Sequence, residues 1–385
     1  MKITGALVYT EQHEFVRKEV YIRDGIFTDG EGFDSVVDKT LDASGLRLIP
    51  GLVDIHFHGA MGHDFCDADP EGLTAIAEYE ARNGVTAICP ATMTYSEEIL
   101  GKIMNNAADW KNKNLTENQK QGCADLVGIN LEGPFISGKK LGAQNPQYLH
   151  LPDVSMFRRL QDRSGGLIKL VDIAPEVIGS MEFIKELSSE VCISLAHMCA
   201  GYDTAVRAFE AGVRHMTHLF NAMPGINHRE PGPIIAALEN KAEVELIADG
   251  VHVHPAMVRF VFDTFGADKV ILISDSMEAT GLPDGQYSLG GQAVTVNGNK
   301  ATLTSDPATI AGSVTNLFDC MKTAVKEMGI PLEAAVRAAT ENPARSVGVF
   351  DSYGSIAQGK VASAVLVDEE LRIRKVILRG NVISL

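Results

Sequence analysis

The stretch Leu48-Ile49-Pro50-Gly51-Leu52-Val53-Asp54-Ile55-His56-Phe57-His58-Gly59 carries an apolar run into two histidines. On an extended strand, side chains two residues apart project from the same face, so both imidazoles point at one spot. Gly59 and Gly62 follow at once. The strand is therefore predicted to end where its histidines emerge, as a metal site at a strand's mouth requires. A bare His-x-His is common, and its meaning depends on the rest of the chain.

Downstream, short apolar runs alternate with amphipathic segments. Strands are predicted over 48–56, 85–90, 126–132, 167–174, 191–197, 213–219, 244–248 and 269–275, with helices between them at 71–83, 181–189, 202–211 and 255–265. Eight strand-then-helix units in a row predict an α/β fold with a (β/α)8, TIM-like barrel over residues 50–354. Residues 284–304 interrupt the alternation with Asp284-Gly285, Gly290-Gly291 and Asn297-Gly298, the signature of an inserted β-hairpin. Helices are predicted to resume at 311–328 and 332–340. Both ends of the chain read as strands, at 2–9, 14–22, 35–41, 363–367 and 373–383. Neither end has enough strands to close a core alone, so residues 1–49 and 355–385 are predicted to build one small β-sandwich domain together.

Composition narrows the function. A chain of 385 residues, 45% hydrophobic, can bury a large core. Its 34 Lys and Arg against 50 Asp and Glu leave a net charge of -16, which repels nucleic acid and anionic membranes. The N-terminus has no apolar stretch suited to export and no run is long enough to span a bilayer, so a cytoplasmic location is expected. Six cysteines without a C-x-x-C argue for reduced thiols rather than a disulfide framework or a structural zinc knuckle. No G-x-x-x-x-G-K-[ST] loop is present to cradle nucleotide phosphates.

A parallel barrel gathers the C-terminal ends of its strands at one face, so the residues that close each run matter most. The first run closes in His56 and His58, the third in Glu132, the fifth in His197 and the sixth in His218. The seventh closes in Asp249 with His252 just beyond, and the eighth in Asp275. Residues of metal-ligand or acid/base type at six equivalent places predict a shared metal centre. Asp54, deeper on the first strand, suits orienting a ligand or the strand end. His63 reads as a surface histidine or an alternative ligand.

Several stretches carry a resemblance. They are Leu131-Glu132-Gly133-Pro134-Phe135, Thr217-His218-Leu219-Phe220-Asn221-Ala222-Met223, Arg229-Glu230-Pro231-Gly232, Ile247-Ala248-Asp249-Gly250-Val251-His252, Ser274-Asp275-Ser276-Met277-Glu278-Ala279-Thr280-Gly281, Ile310-Ala311-Gly312-Ser313 and Ala339-Thr340-Glu341-Asn342-Pro343-Ala344-Arg345. Together with residues 50–59, this set resembles the metal-dependent amidohydrolase superfamily and, within it, the N-acetylglucosamine-6-phosphate deacetylase family. The resemblance implies that Glu132, His197 and His218 are primary metal ligands, that His56 and His58 form a second-metal pair, and that Asp275 is the catalytic acid/base. It implies sugar-phosphate contacts at Asn221, Ala222, Arg229 and His252, and further substrate contacts at Ala143, Gln144, Ile310, Ala311 and Gly312. Three departures matter: Ala196-His197-Met198-Cys199 replaces a Gly-His-Ser or Gly-His-Thr run, Gln144 occupies a position that is His in some relatives, and His63 stands in Gly62-His63-Asp64.

The implied chemistry is hydrolysis of the acetamide of N-acetyl-D-glucosamine 6-phosphate to glucosamine 6-phosphate and acetate. A divalent metal held by two neutral imidazoles and a carboxylate acidifies its water, and the resulting hydroxide attacks the amide carbonyl. Asp275 then takes the proton and passes it to the departing amine. His252 is suited to the carbonyl oxyanion or a sugar hydroxyl, and Arg229 offers a planar fork for phosphate. Zinc is the first choice among zinc, iron, manganese and cobalt, with one or two ions per subunit. A homodimer or larger homo-oligomer is expected from the resemblance. Competing readings are another amidohydrolase acting on a cyclic amide or aminated base, and a noncatalytic scaffold that retains the barrel.

Overall fold

The computed structural model describes residues 1–34, 38–113 and 122–384. Two parallel sheets carry the fold among the described residues. Leu52–Asp54, Val85–Ile88 and Asp125–Leu126 form a three-stranded sheet, and Ile129–Glu132, Ile168–Ile173, Cys192–Leu195, His215–Met216, Glu243–Ile247 and Val270–Ile273 form a six-stranded one. Asp125–Leu126 and Ile129–Glu132 are successive parts of the third predicted strand. The two sheets are joined along both edges. Ala91 bridges Asn130 on one side. On the other, Asp275 N–H donates to His56 O at 2.9 Å and His58 N–H donates to Ser276 O at 2.7 Å.

Helices follow the strands, and several have starts written in the local sequence. Asp69 caps Pro70–Arg82 by accepting from the Glu71 and Gly72 amides, with Pro70 at the first turn. Asp153 caps Val154–Arg163 in the same way, and Asn316 caps Leu317–Lys326. Glu97–Lys113, Ser180–Leu187, Tyr202–Glu210, Gly232–Glu239 and Pro255–Phe265 are the other helices between the parallel strands.

Alternation along the strands divides two environments. Leu52, Ile88, Ile129, Leu131, Ile193, Leu195, Val244, Leu246, Val270 and Leu272 join the large core packed under the helices. The intervening residues Val53, Ile55, Ala87, Ile247, Ile271 and Ile273 form a separate apolar cluster on the opposite face. Elsewhere that opposite face is polar: Asn130, Asp172, Ser194, His215 and Glu245 are all fully buried there.

The predicted first strand, 48–56, is in fact two. Arg47–Pro50 pairs with Ala364–Val367 and Leu7–Tyr9, whereas Leu52–Asp54 belongs to the parallel array. The switch falls at Gly51, where a side-chain Cβ would meet Thr86 Oγ1 at 2.0 Å, so only glycine admits the crossing. His56 and His58 lie just past the strand rather than on it. The chain ends form two sheets, one ordered Asn381–Ile383, Ile373–Leu378, Ala364–Val367, Arg47–Pro50, Leu7–Tyr9, Phe15–Arg17 and the other Ile26–Thr28, Val20–Arg23, Lys2–Thr4, Thr40–Asp42. Gly5, at φ 79°, splits the predicted strand 2–9 between them. Ile3, Val8, Ile22, Phe27, Leu48, Leu366 and Ile377 share one buried cluster. Of the predicted strand 35–41, residues 35–37 lie outside the described residues, and its end pairs as Thr40–Asp42.

Two further corrections concern the insertion. It is a three-stranded antiparallel sheet, Gly285–Leu289, Gln292–Asn297 and Lys300–Leu303, rather than a hairpin. The helix predicted from 311 begins only at Leu317. Residues 311–313 instead make tertiary bonds, Ala311 N–H to Ala301 O and Ser313 N–H to Asp275 O, which outweigh helix propensity there.

Candidate active site

Six of the residues that close the strands meet at one point. Glu132 Oε1 lies 2.9 Å from His197 Nε2 and 3.3 Å from His218 Nε2, and those two nitrogens are 3.1 Å apart. The other carboxylate oxygen, Glu132 Oε2, is 3.4 Å from His58 Nε2 and 3.6 Å from His56 Nε2. Asp275 Oδ1 completes the second group, 3.3 Å from His58 Nε2 and 3.9 Å from His56 Nε2. Two triads, Glu132/His197/His218 and His56/His58/Asp275, thus face one another across a single carboxylate.

The backbone is bent to aim them. His197, His218 and Asp275 adopt φ of 43°, 26° and 50°, the left-handed region that non-glycine residues avoid. Tertiary hydrogen bonds hold these turns: Ser137 N–H donates to His197 O, and Leu219 N–H to Glu245 O. Imidazole orientation is set from behind. His197 Nδ1 donates to Lys140 O at 2.9 Å, leaving the Nε2 lone pair directed at the centre. His56 Nδ1 is 2.9 Å from Glu245 Oε2.

The donor set fits a divalent metal ion. Burial opposes ionisation of Glu132, but His56, His197 and His218 outweigh it and hold the carboxyl well below the usual range. His56 Nε2 and Glu132 Oε2 are buried without a hydrogen-bond partner among the described residues. Imidazole nitrogens crowded within hydrogen-bond distance around one carboxylate form a donor set suited to a positively charged lone-pair acceptor. Asp275 is likewise kept below its ordinary range: burial raises it, and the His58 hydrogen bond with the charges of His56, His58 and His218 more than offsets this.

Above the triads opens a cavity of about 320 Å³, lined by His58, Glu132, His197, His218, Asp275, Ala143, Gln144, Asn221, Ala222, His252, Ile310 and Gly312 among others. Gln144 Oε1 accepts from Thr94 N–H at 2.7 Å, fixing the side chain against the wall. Asp249 Oδ2 lies 2.7 Å from His252 Nδ1, and its Oδ1 accepts from the Val251 and His252 amides. Burial lowers the His252 pKa, but Asp249 and then Asp275 raise it overall. Gly312, at φ 65°, lies where a Cβ would come within 3.1 Å of Asp275 O. The inserted sheet supplies Leu289 to the lining and ties down the 143–144 loop through Gln292 Nε2 to Ala143 O.

Other predicted residues lie elsewhere. Ala311 is fully buried behind the lining. Arg229 is exposed, its amide bonded to Asn227 Oδ1, and among the described residues no Lys or Arg lines the cavity. Asp54 accepts from His56 N–H and Ser274 Oγ–H, and burial pushes its carboxyl up to about 7 against those bonds. His63 sits in a two-residue strand outside both triads. In the divergent 196–199 run, Ala196 and Met198 are buried in packing while Cys199 N–H donates to Glu176 Oε1. Reading strand ends missed the layer beneath: Asp172, which with His56 and Glu132 forms a further close group, and Glu245. Each is a carboxylate flanked on both sides by apolar residues of its strand, Val171 and Ile173 or Val244 and Leu246, and that placement is the signal that could have found them.

The family model for the amidohydrolase family matches residues 47–383. The chain belongs to the amidohydrolase family. This amidohydrolase is 39% identical over 337 residues, 87% of this chain and 84% of the relative, to the N-acetylglucosamine-6-phosphate deacetylase of Bacillus subtilis. It is 32% identical to the N-acetylgalactosamine-6-phosphate deacetylase of Escherichia coli, covering 88% of each. The crystal structure of N-acetyl-D-glucosamine-6-phosphate deacetylase from Mycobacterium smegmatis superposes with a TM-score of 0.90 at 32% identity over the whole of both chains. A point mutant of that enzyme has been solved in complex with N-acetyl-D-glucosamine-6-phosphate. Family membership and the paired triads together make this amidohydrolase a divalent-metal protein. None of its described helices is long and apolar enough to cross a membrane.

Proposed function

We propose that the chain hydrolyses N-acetyl-D-glucosamine 6-phosphate to D-glucosamine 6-phosphate and acetate, in the breakdown or recycling of amino sugars within the cytoplasm. One observation carries the reading. Asp275, an ionised carboxylate, shares a small-molecule-sized cavity with both triads, so a proton acceptor and a cation's ligands border the same space. When bound there, a divalent cation supplies Lewis acidity, polarising an amide carbonyl and acidifying water beside it. Asp275 accepts the proton of the attacking water and returns it to the amine nitrogen, which must leave protonated. His252, braced by Asp249, donates a hydrogen bond to the carbonyl oxygen as negative charge develops there. Asn221, Ala222, Ala143, Gln144 and the 310–312 backbone position the sugar, and Arg229 meets its phosphate.

Two ions per subunit are read from the two triads, with zinc ahead of iron, manganese or cobalt because each triad offers imidazole and carboxylate donors. The bonds along both sheet edges support a closed (β/α)8 barrel over residues 50–354. The buried cluster shared by the terminal strands supports a small β-sandwich domain of residues 1–49 and 355–385. A homodimer or larger homo-oligomer is part of the same reading, and sedimentation velocity tests it.

The deciding experiment is acetate release from N-acetylglucosamine 6-phosphate, its galactosamine epimer and the unphosphorylated sugars, with elemental analysis of the same sample. The expected result is highest kcat/KM for the glucosamine 6-phosphate with up to two equivalents of metal. Faster turnover of the galactosamine epimer would reassign the substrate. No acetate from either 6-phosphate would overturn the reading and turn attention to a cyclic amide or aminated base.

A further inference from the structure

Glu245 lies in the middle of Glu243–Ile247, fully buried on the strand face opposite Val244 and Leu246. Its Oε2 lies 2.9 Å from His56 Nδ1 and also accepts the His218 amide hydrogen at 3.1 Å. Its main-chain oxygen accepts from Leu219 N–H at 2.8 Å. Among the described residues its only ion-pair partners are the imidazoles of His56 and, at 3.8 Å, His215. A buried carboxylate without Lys or Arg is costly, so its retention calls for a specific task.

The neighbours of His56 define that task. Asn130 Nδ2 stands 3.4 Å from the same ring nitrogen, and as a donor it favours an unprotonated Nδ1 with the proton on Nε2. An imidazole in that tautomer cannot ligate through Nε2. Glu245 Oε2, which already accepts from the His218 amide, is the nearer of the two and places the proton on Nδ1.

We propose that Glu245 is a positioning residue for the second ion: it holds His56 in the Nδ1–H tautomer, so that Nε2 offers its lone pair to a divalent cation shared with His58 and Asp275. The same carboxylate anchors the amide of His218, a member of the first triad, and so ties the two triads together. The inference rests on the two-ion reading above.

The test is to strip the full chain with a chelator and titrate zinc back by calorimetry, with elemental analysis, in wild type, Glu245→Ala and Glu245→Gln. Wild type should take up two ions. Glu245→Ala should bind the second ion 10–100-fold more weakly and the first less than tenfold more weakly. Glu245→Gln, whose amide oxygen still accepts from Nδ1–H, should recover part of the loss, leaving the second site about tenfold weaker than wild type. It also serves as the measurement if the alanine variant fails to fold. Nitrogen-15 spectra of zinc-loaded wild type should show His56 protonated at Nδ1. A merely structural role would lower thermal stability or weaken both sites alike, without selective loss or rescue. Unchanged second-site affinity in Glu245→Ala, equal loss at both sites, or a His56 proton on Nε2 would overturn the proposal while the two-ion reading stands. A wild type that binds only one ion would instead sink the two-ion reading, and the proposal with it.

Discussion

The two triads share Glu132 as a common wall but are held in different ways. Glu132, His197 and His218 come from three different strand ends, 65 and 86 residues from the carboxylate in sequence, and His197 is oriented by a main-chain carbonyl. His56 and His58 are sequence neighbours joined by the distant Asp275, and His56 is oriented by a buried side-chain carboxylate. A backbone carbonyl cannot be removed by substitution, whereas Glu245 can. The orientation of the second triad is therefore open to test by substitution in a way that of His197 is not.

The largest effect should come from breaking the first triad. His218→Ala removes a ligand and leaves Glu132 without one of the imidazoles that offset its charge, so metal content and turnover should both fall to background. Retained metal with measurable acetate release would show that the second triad can work alone. Asp275→Asn should lower kcat by roughly 10²–10⁴-fold, the usual worth of a general acid/base. Elemental analysis should still find the first ion in that variant. Near-normal turnover would remove Asp275 from the proton path and leave it only a structural member of its triad.

His58→Ala sharpens the contrast. One ion per chain should remain, with turnover lowered less than in Asp275→Asn. A loss as deep as that of His218→Ala would mean that the triads act as one unit. The smallest effect is expected at Arg229, outside the cavity lining. Arg229→Ala should raise KM for the 6-phosphate roughly tenfold, about the worth of one hydrogen bond to a charged group, and leave the unphosphorylated sugar unchanged. Equal losses for both substrates would remove its assigned role.

Much of this site could be read along the chain because parallel strands end at one face, so Glu132, His197, His218 and Asp275 are marked by position as well as by type. What escaped that reading depends on contacts. The division of residues 48–56 at Gly51 follows from the approach of Thr86, which no local pattern records. The late start of the helix at Leu317 follows from bonds that residues 311 and 313 make to the inserted sheet and to Asp275. Asp172 and Glu245 each stand between two apolar residues in the sequence, yet their partners lie on other strands.

By itself the sequence determined the order of strands and helices and the residue type that closes each strand, because side-chain alternation, capping and turn chemistry are local. Only the tertiary structure decided that one carboxylate, Glu132, serves both triads and that Glu245 reaches His56 and His218 at once. Those distances are set by how the strand ends are gathered and bent around the cavity, a property of the assembled sheets that no single stretch of chain contains.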